Sequence, residues 1–258
     1  MLENPQDFVL LSARALGKRL GIDAATVVRI AQRMGFAAYR DFQRYLHDLS
    51  IARATSLDAM RASVSRDGGI TTLIRDSVDQ DLKNLTTLRH SIDFDALAAV
   101  APKFYKASRI LILAGDLAAT LAGYLEHNLT ILDLPVISAT SWGRIMHLVR
   151  NAGKKDLVIA ISFRKGLRQT VEGLQQARRK GAYCVGITDT YVSPIAQSCN
   201  RVFLASIEAP PFGASYTAPM AILNSILVAC ANYRRSRTLS LLRAANEEER
   251  HGARWYQT

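Results

Sequence analysis

Cysteine is scarce in this 258-residue chain. Cys184, Cys199 and Cys230 are odd in number, widely spaced and set in apolar surroundings, so neither a disulfide framework nor a CxxC metal site is visible. A reducing cytoplasm fits such a chain. Long apolar runs are also missing, since nowhere do about 18 uncharged apolar residues follow one another, as a membrane span would need. The start, MLENPQDFVLLSARALG, has acids where a signal peptide needs bases. We therefore expect a soluble, unexported protein with no membrane partner. Internal repeats and low-complexity tracts are absent, and the five histidines are scattered with no metal-ligand cluster, so no metal or other cofactor is expected. Acids are outnumbered, with Asp plus Glu at 22 against Lys plus Arg at 33 for a formal charge of +11. That balance points toward polyanions, although its location matters more than its size.

What is present is ample for folding: 49% hydrophobic residues can build at least one proper core. The pattern changes near residue 90. Before it the sequence is helical and charged. After it, ILILAG (Ile110 to Gly115), LPVIS (Leu134 to Ser138), DLVIAIS (Asp156 to Ser162), AYCVGIT (Ala182 to Thr188) and RVFLAS (Arg201 to Ser206) read as buried strands separated by helix-length segments. Such alternation is the signature of a parallel sheet covered on both faces. Residues 51 to 90 keep a helical period apart from a break at Asp67-Gly68-Gly69, which predicts a helical connector with one turn.

The stretch SARALGKRLGIDAATVVRIAQRM places Leu16, Leu20, Ile22, Val27 and Ile30 where two short helices crossing at a tight turn need apolar contacts. Gly21 supplies the turn, and Asp23 is a good N-cap for the second helix. In a helix-turn-helix the second helix enters the major groove by its N-terminal end, where small residues allow close approach to base edges and an arginine reaches a guanine or a phosphate. Ala24, Ala25, Thr26 and Arg29 fit those roles, with Arg33 and Arg40 beyond them. The same pattern also fits a surface helix pair in an ordinary helical domain, with Arg29 and Arg33 merely solvated. Local charge favours the first reading: between Phe8 and His47 seven cations stand against two carboxylates, a balance of +5.

TVVRIAQRMGFAAYRDFQRYL resembles the end of the N-terminal helix-turn-helix domain of RpiR-family bacterial transcriptional regulators. DLVIAISFRKGLRQTVEGLQQARRKGAYCVGITDTYVSPIA resembles that family's second half, a SIS (sugar isomerase) domain. Together the two regions cover most of the chain. The resemblance implies an all-α helix-turn-helix domain followed by an α/β three-layer SIS domain with a five-stranded parallel, flavodoxin-like sheet. The divisions expected are 1–50 for the DNA-binding head, 51–90 for the connector, 91–235 for the SIS domain and 236–258 for a helical tail. The family normally has a further helix before the equivalent of Asn4-Pro5, so the expectation is either a start lying upstream or a pared-down DNA domain.

In open parallel sheets ligands sit beyond the carboxyl ends of the strands, where helix N-termini favour anions. Two loops qualify. In the first, AGDLAATLAGYL, the resemblance leads one to expect Gly-x-Gly-x-Ser, but after Gly115 this chain has Leu117 and Ala119 in place of the second glycine and the serine. Asp116 stands where its carboxylate would compete with phosphate for the helix NH groups. The second loop, SFRKGLRQTVE, keeps Ser162 and Thr170 and inserts Arg164, Lys165 and Arg168, whose guanidinium and ammonium groups suit carboxylate or phosphate. These three bases also fit a solvated loop or a dimer contact.

A catalytic base is not evident. Glu126 and His127 diverge on one helix, and Glu172 reads as a charge at a helix start. The helix from Thr217 to Ala231 is apolar nearly all round, which predicts burial, in a homodimer or homotetramer. The function expected is a DNA-binding regulator, not an enzyme. Its partners would be a double-stranded DNA operator and a small acidic metabolite, a phosphosugar or sugar acid. Two rivals remain: a SIS-type sugar-phosphate isomerase with an accessory helical domain, and a constitutive DNA binder on a vestigial SIS scaffold.

Overall fold

A computed structural model describes residues 12–53, 60, 69–164, 166–191, 193–209 and 212–251, so Lys165 and the Asp67-Gly68 break lie outside the described residues. The chain divides into two compact units, one running to Leu73 and the other taking most of the remainder from Ile74.

The first unit holds α1 (Ala13–Leu20), α2 (Ala24–Arg33) and α3 (Tyr39–Arg53). Each boundary has a local cause. Ser12 caps α1 by accepting the Ala15 N–H, and Asp23 caps α2 by accepting the Thr26 N–H at 2.8 Å. Between them Gly21 adopts φ 71°, the left-handed conformation that ends a helix without a Cβ penalty. Gly17 is the second necessary glycine, because a Cβ there would stand 2.6 Å from the Ile22 carbonyl oxygen. The turn therefore lies directly on the backbone of α1.

Leu16, Val27, Ala31, Phe42 and Leu46 form the core of this unit, with Phe36 set 5.4 Å from Phe42 and 5.3 Å from Tyr45 between ring centroids. Two expected core positions are corrected: Leu20 and Ile30 are each 44% exposed. The i, i+4 step from Val27 leads to Ala31, and Ile30 lies about 100° around the helix from it, on the outer side. Rings from α3 supply the volume that Leu20 and Ile30 were expected to give.

The second unit is built on five parallel strands, β1 (Arg109–Leu113), β2 (Val136–Ala139), β3 (Asp156–Ile161), β4 (Tyr183–Thr188) and β5 (Arg201–Leu204), in the order β2-β1-β3-β4-β5. All five runs read as strands in the sequence are strands. The order is that of the flavodoxin-like sheet. Side chains alternate across it: Ile110 and Ile112 join one core with α5 (Phe94–Lys106), α6 (Ala118–Ile131) and α10 (Thr217–Tyr233), while Leu111 and Leu113 join another with α7 (Trp142–Arg150), α8 (Arg168–Arg179) and the short α9 (Pro194–Gln197). The long α4 (Gly69–Ser91) is tied to the segment after β5 by Asn84, whose amide donates to the Glu208 carbonyl at 2.7 Å and accepts from Ser206 and Gln80. A final helix, α11 (Arg235–His251), follows α10.

Within the single chain α10 is buried on one side only. Ile222, Leu223, Ile226 and Cys230 are buried, but Val228 is 62% exposed beside Phe94 at 61%. With Asn224, Ser225 and Ala229 these residues line an open groove between α5 and α10. The helix is thus covered on one side by its own subunit.

Gly17→Ala should destabilise the helical unit by about 1–3 kcal/mol through overpacking against backbone that cannot rotate away. Thermal unfolding followed by circular dichroism checks this, and an unchanged midpoint would contradict the close crossing.

Candidate functional site

Two places gather the side chains singled out by the sequence. The first is the outer face of α2, where Ala25, Arg29 and Arg33 are exposed while Ala24 and Thr26 are half-buried; Arg40 is exposed at the start of α3. A chain of hydrogen bonds runs along this face. The Thr26 hydroxyl donates to the Asp23 carboxylate at 2.6 Å and accepts from one Arg29 guanidinium nitrogen at 2.8 Å. The Thr26 bonds, side chain first, hold the Asp23 carboxyl below its ordinary range, and the Arg29 charge adds to the effect. Arg29 is therefore drawn toward the N-terminal end of its helix, beside the small Ala25. That is a cation beside a small side chain, a pairing that suits approach to a groove.

The second place is the carboxyl edge of the sheet, where β1 and β3 lie side by side and their following helices, α6 and α8, pack on opposite faces. This is a topological switch point, the usual crevice for a ligand in such a sheet. After β1, Gly115 is buried, and Asp116 adopts a left-handed φ of 53° that leaves its side chain exposed. Leu117 begins the turn into α6 without a side-chain cap. The competition expected of Asp116 for the helix NH groups is not made by its carboxylate: it is the Asp116 carbonyl that accepts the Ala119 N–H, at 3.0 Å.

After β3 the loop doubles back. Ser162 is buried, and its hydroxyl oxygen accepts the Leu167 N–H at 2.8 Å. Arg164 has a left-handed φ of 59°, and its backbone N–H donates to both carboxylate oxygens of Asp189 at 2.9 and 3.0 Å. Leu167 and Gln169 lie over Gly115, where a Cβ would meet them at 2.4 and 2.6 Å, and the Gln169 amide donates to the Thr140 carbonyl. The two loops read separately in the sequence are in contact, and the glycine exists to let them close.

Of the remaining expected residues, Arg168 pairs with Glu172 at 2.7 Å and is 85% exposed, so its charge is partly answered within α8. Thr170 is fully buried, and its hydroxyl is the one buried side-chain polar atom among the described residues without a partner. Three residues were missed by sequence reasoning. Asp189 directly follows β4, Gln169 bridges the loops, and Tyr216 precedes α10 with its ring 5.4 Å from that of Phe163. Burial raises the Tyr216 hydroxyl, the Asp116 and Asp189 charges add to the rise and Arg164 opposes it, so these four groups feel one another's field. Asp189 is likewise raised, chiefly by burial, against the bonds from Arg164. Only the Ile-Thr-Asp strand end signalled Asp189 in the sequence; nothing local marked Tyr216. The arrangement offers a cation, carboxylates and a phenol to a small polar molecule. Of the residues weighed as bases, Glu126 accepts from the Ser138 N–H and hydroxyl, and Glu172 pairs with Arg168.

Residues 103–229 match the SIS domain family. Among curated proteins, an uncharacterised HTH-type transcriptional regulator of Clostridium perfringens is 22% identical over 193 residues, covering 73% of this chain and 67% of that protein. Among solved structures, the sugar isomerase domain of an RpiR transcription factor from Sphaerobacter thermophilus is 25% identical with a TM-score of 0.65, covering 68% of this chain and 98% of that one. The Vibrio vulnificus NanR protein, solved with ManNAc-6P, shares the fold at 18% identity and a TM-score of 0.63, covering 97% of this chain and 90% of that one. No described helix is long and apolar enough to cross a membrane.

Thr170→Val should leave the unfolding midpoint equal or higher, because an unpartnered buried hydroxyl costs about 1–3 kcal/mol that a methyl avoids. A fall in the midpoint by differential scanning calorimetry would show that the hydroxyl has a partner in solution.

Proposed function

We propose that this chain is a SIS-domain transcriptional regulator of the RpiR kind, whose α2 face reads an operator while the carboxyl edge of its sheet binds a small acidic metabolite. The observation that carries the first half is the exposed Ala25 and Arg29 pair on a helix whose opposite side is locked into a core. Small side chains admit the helix to the major groove, and a guanidinium fork suits the O6 and N7 of a guanine. Arg33 and Arg40 then serve phosphates, which position the helix without reading sequence.

For the effector, the switch-point crevice is the place and Arg164 the anion-binding group, with Lys165 beside it in sequence and Asp116, Asp189 and Tyr216 available for hydroxyls. NanR was solved with a phosphosugar, which makes that class, along with sugar acids, the first to be tried. The chain is proposed to sense rather than to catalyse, in keeping with Glu126 and Glu172, the two glutamates weighed as bases, each being held in other bonds. Binding shifts DNA affinity only by the effector's differential affinity for two conformations. The half-covered α10 groove at Phe94 and Val228 is the surface we assign to self-association, which lets two heads engage two half-sites.

The reading is tested on a duplex selected by the wild-type chain from a random-sequence pool. Arg29→Ala should cost about 1–3 kcal/mol on that duplex and erase its preference over random DNA. Retained affinity and preference at fixed salt would refute the assignment of α2. For the effector, Arg164→Ala combined with Lys165→Ala should abolish the thermal shift produced by a sugar phosphate or sugar acid that stabilises wild type. An undiminished shift would make the loop structural.

A further inference from the structure

The proposed effector site lies at the carboxyl edge of the sheet, and the opposite, amino edge has its own chemistry. There the turn before β3 and the turn before β4 lie side by side, because Leu157 pairs with Tyr183 in neighbouring parallel strands. α7 ends at Arg150, the chain then passes Lys154 and Lys155 into β3, and α8 ends at Arg178 and Arg179 before Lys180 leads toward β4. All six cations are exposed. Contacts join the segments into one corner. The Lys180 ammonium donates to the Arg150 carbonyl, and a Cβ at Gly181 would meet the Lys154 side chain at 2.9 Å.

Acids do not answer this charge. Asp156, the carboxylate within these two turns, is buried and used up: Arg109 grips it through two nitrogens at 3.1 and 2.7 Å, and the Gly153 N–H donates to it at 2.9 Å. Among the described residues none of the six cations forms an ion pair. Cations in the last turn of a helix are favoured by its dipole, which accounts for Arg150, Arg178 and Arg179. It does not account for Lys154 and Lys155, which belong to no helix, nor for the lack of any neutralising partner.

We propose that this amino-edge corner is a second, sequence-independent contact for duplex DNA, in which exposed lysines and arginines of the SIS domain meet phosphates while α2 reads bases. Six like charges on one corner of a folded domain repel one another, and a polyanion with a charge every ~1.7 Å along its axis relieves that repulsion while releasing its own counterions. The corner lies a strand length from the crevice, about 20 Å at 3.3 Å per residue, so altering it leaves the effector groups in place. This rests on the DNA-binding reading, but the two fail separately: loss of α2 removes sequence preference, whereas loss of the corner weakens all duplexes alike.

The test titrates the full chain with a random-sequence duplex between about 50 and 200 mM salt, where each phosphate contact contributes about 0.9 to the slope of log affinity against log salt. R178Q/R179Q/K180Q should flatten that slope by about 2–3 and K154Q/K155Q by about 1–2, with affinity at the lowest salt reduced at least about tenfold by the first. A control of matched charge on α4, R75Q/K83Q/R89Q, should leave the slope unchanged. The proposal is overturned if both corner variants keep the wild-type slope or if the control flattens it equally. It is also overturned if the corner variants lose binding to phosphatidylserine vesicles while keeping their affinity for DNA.

Discussion

The pairing of β1 with β3 puts two strands whose following helices leave on opposite faces next to each other, and the chemistry of the carboxyl edge follows from that adjacency. Although α6 and α8 leave toward opposite faces, the loops leading into them touch, and Gly115 must lack a Cβ for Leu167 and Gln169 to pass over it. Asp116 and Arg164 both take left-handed backbone conformations, which residues with a Cβ adopt at a cost of about 1–3 kcal/mol when the surroundings impose it. Those two residues, with Asp189, act on the Tyr216 hydroxyl through their charges. The sheet thus supplies the rigid frame, and the loops supply a site whose polar groups come from four separate stretches of chain.

The helical head relies on the same device on a smaller scale. Gly17 allows the Ile22 carbonyl to lie on α1, Gly21 turns the chain, and Asp23 starts α2 so that its small residues face outward. Burial of Val27 and Ala31 then fixes which side of α2 is left for a partner. The α2 face and the carboxyl-edge loops are therefore both defined by close approaches at glycine, with charged side chains placed on the outside.

Periodicity and turn chemistry made much of this legible beforehand. Five apolar runs gave five strands, and Gly21 with Asp23 gave the turn and cap, because each is a local signal that tertiary packing reinforces. Leu20 and Ile30 were misjudged because two short helices do not specify which of their apolar residues meet a third, and α3 supplied the rings that decided it. Val228 stays exposed within the single chain, and an apolar helix does not by itself say whether its cover comes from its own chain or a second copy. At the site, Ser162, Arg164 and Thr170 were visible as residues but not as roles: Ser162 holds the loop, Arg164 bonds Asp189 through its backbone, and Thr170 is enclosed. Tyr216 and Gln169 are long-range partners that no spacing could announce.

The central claim is that occupancy of the crevice and affinity for DNA are one linked equilibrium. Its most direct measurement is operator affinity at fixed salt with and without a saturating stabilising sugar phosphate or sugar acid, paired with that compound's affinity with and without operator. The account predicts that both ratios differ from one and agree, since coupling free energy is reciprocal. An operator affinity unmoved by a ligand proven to occupy the crevice would contradict it.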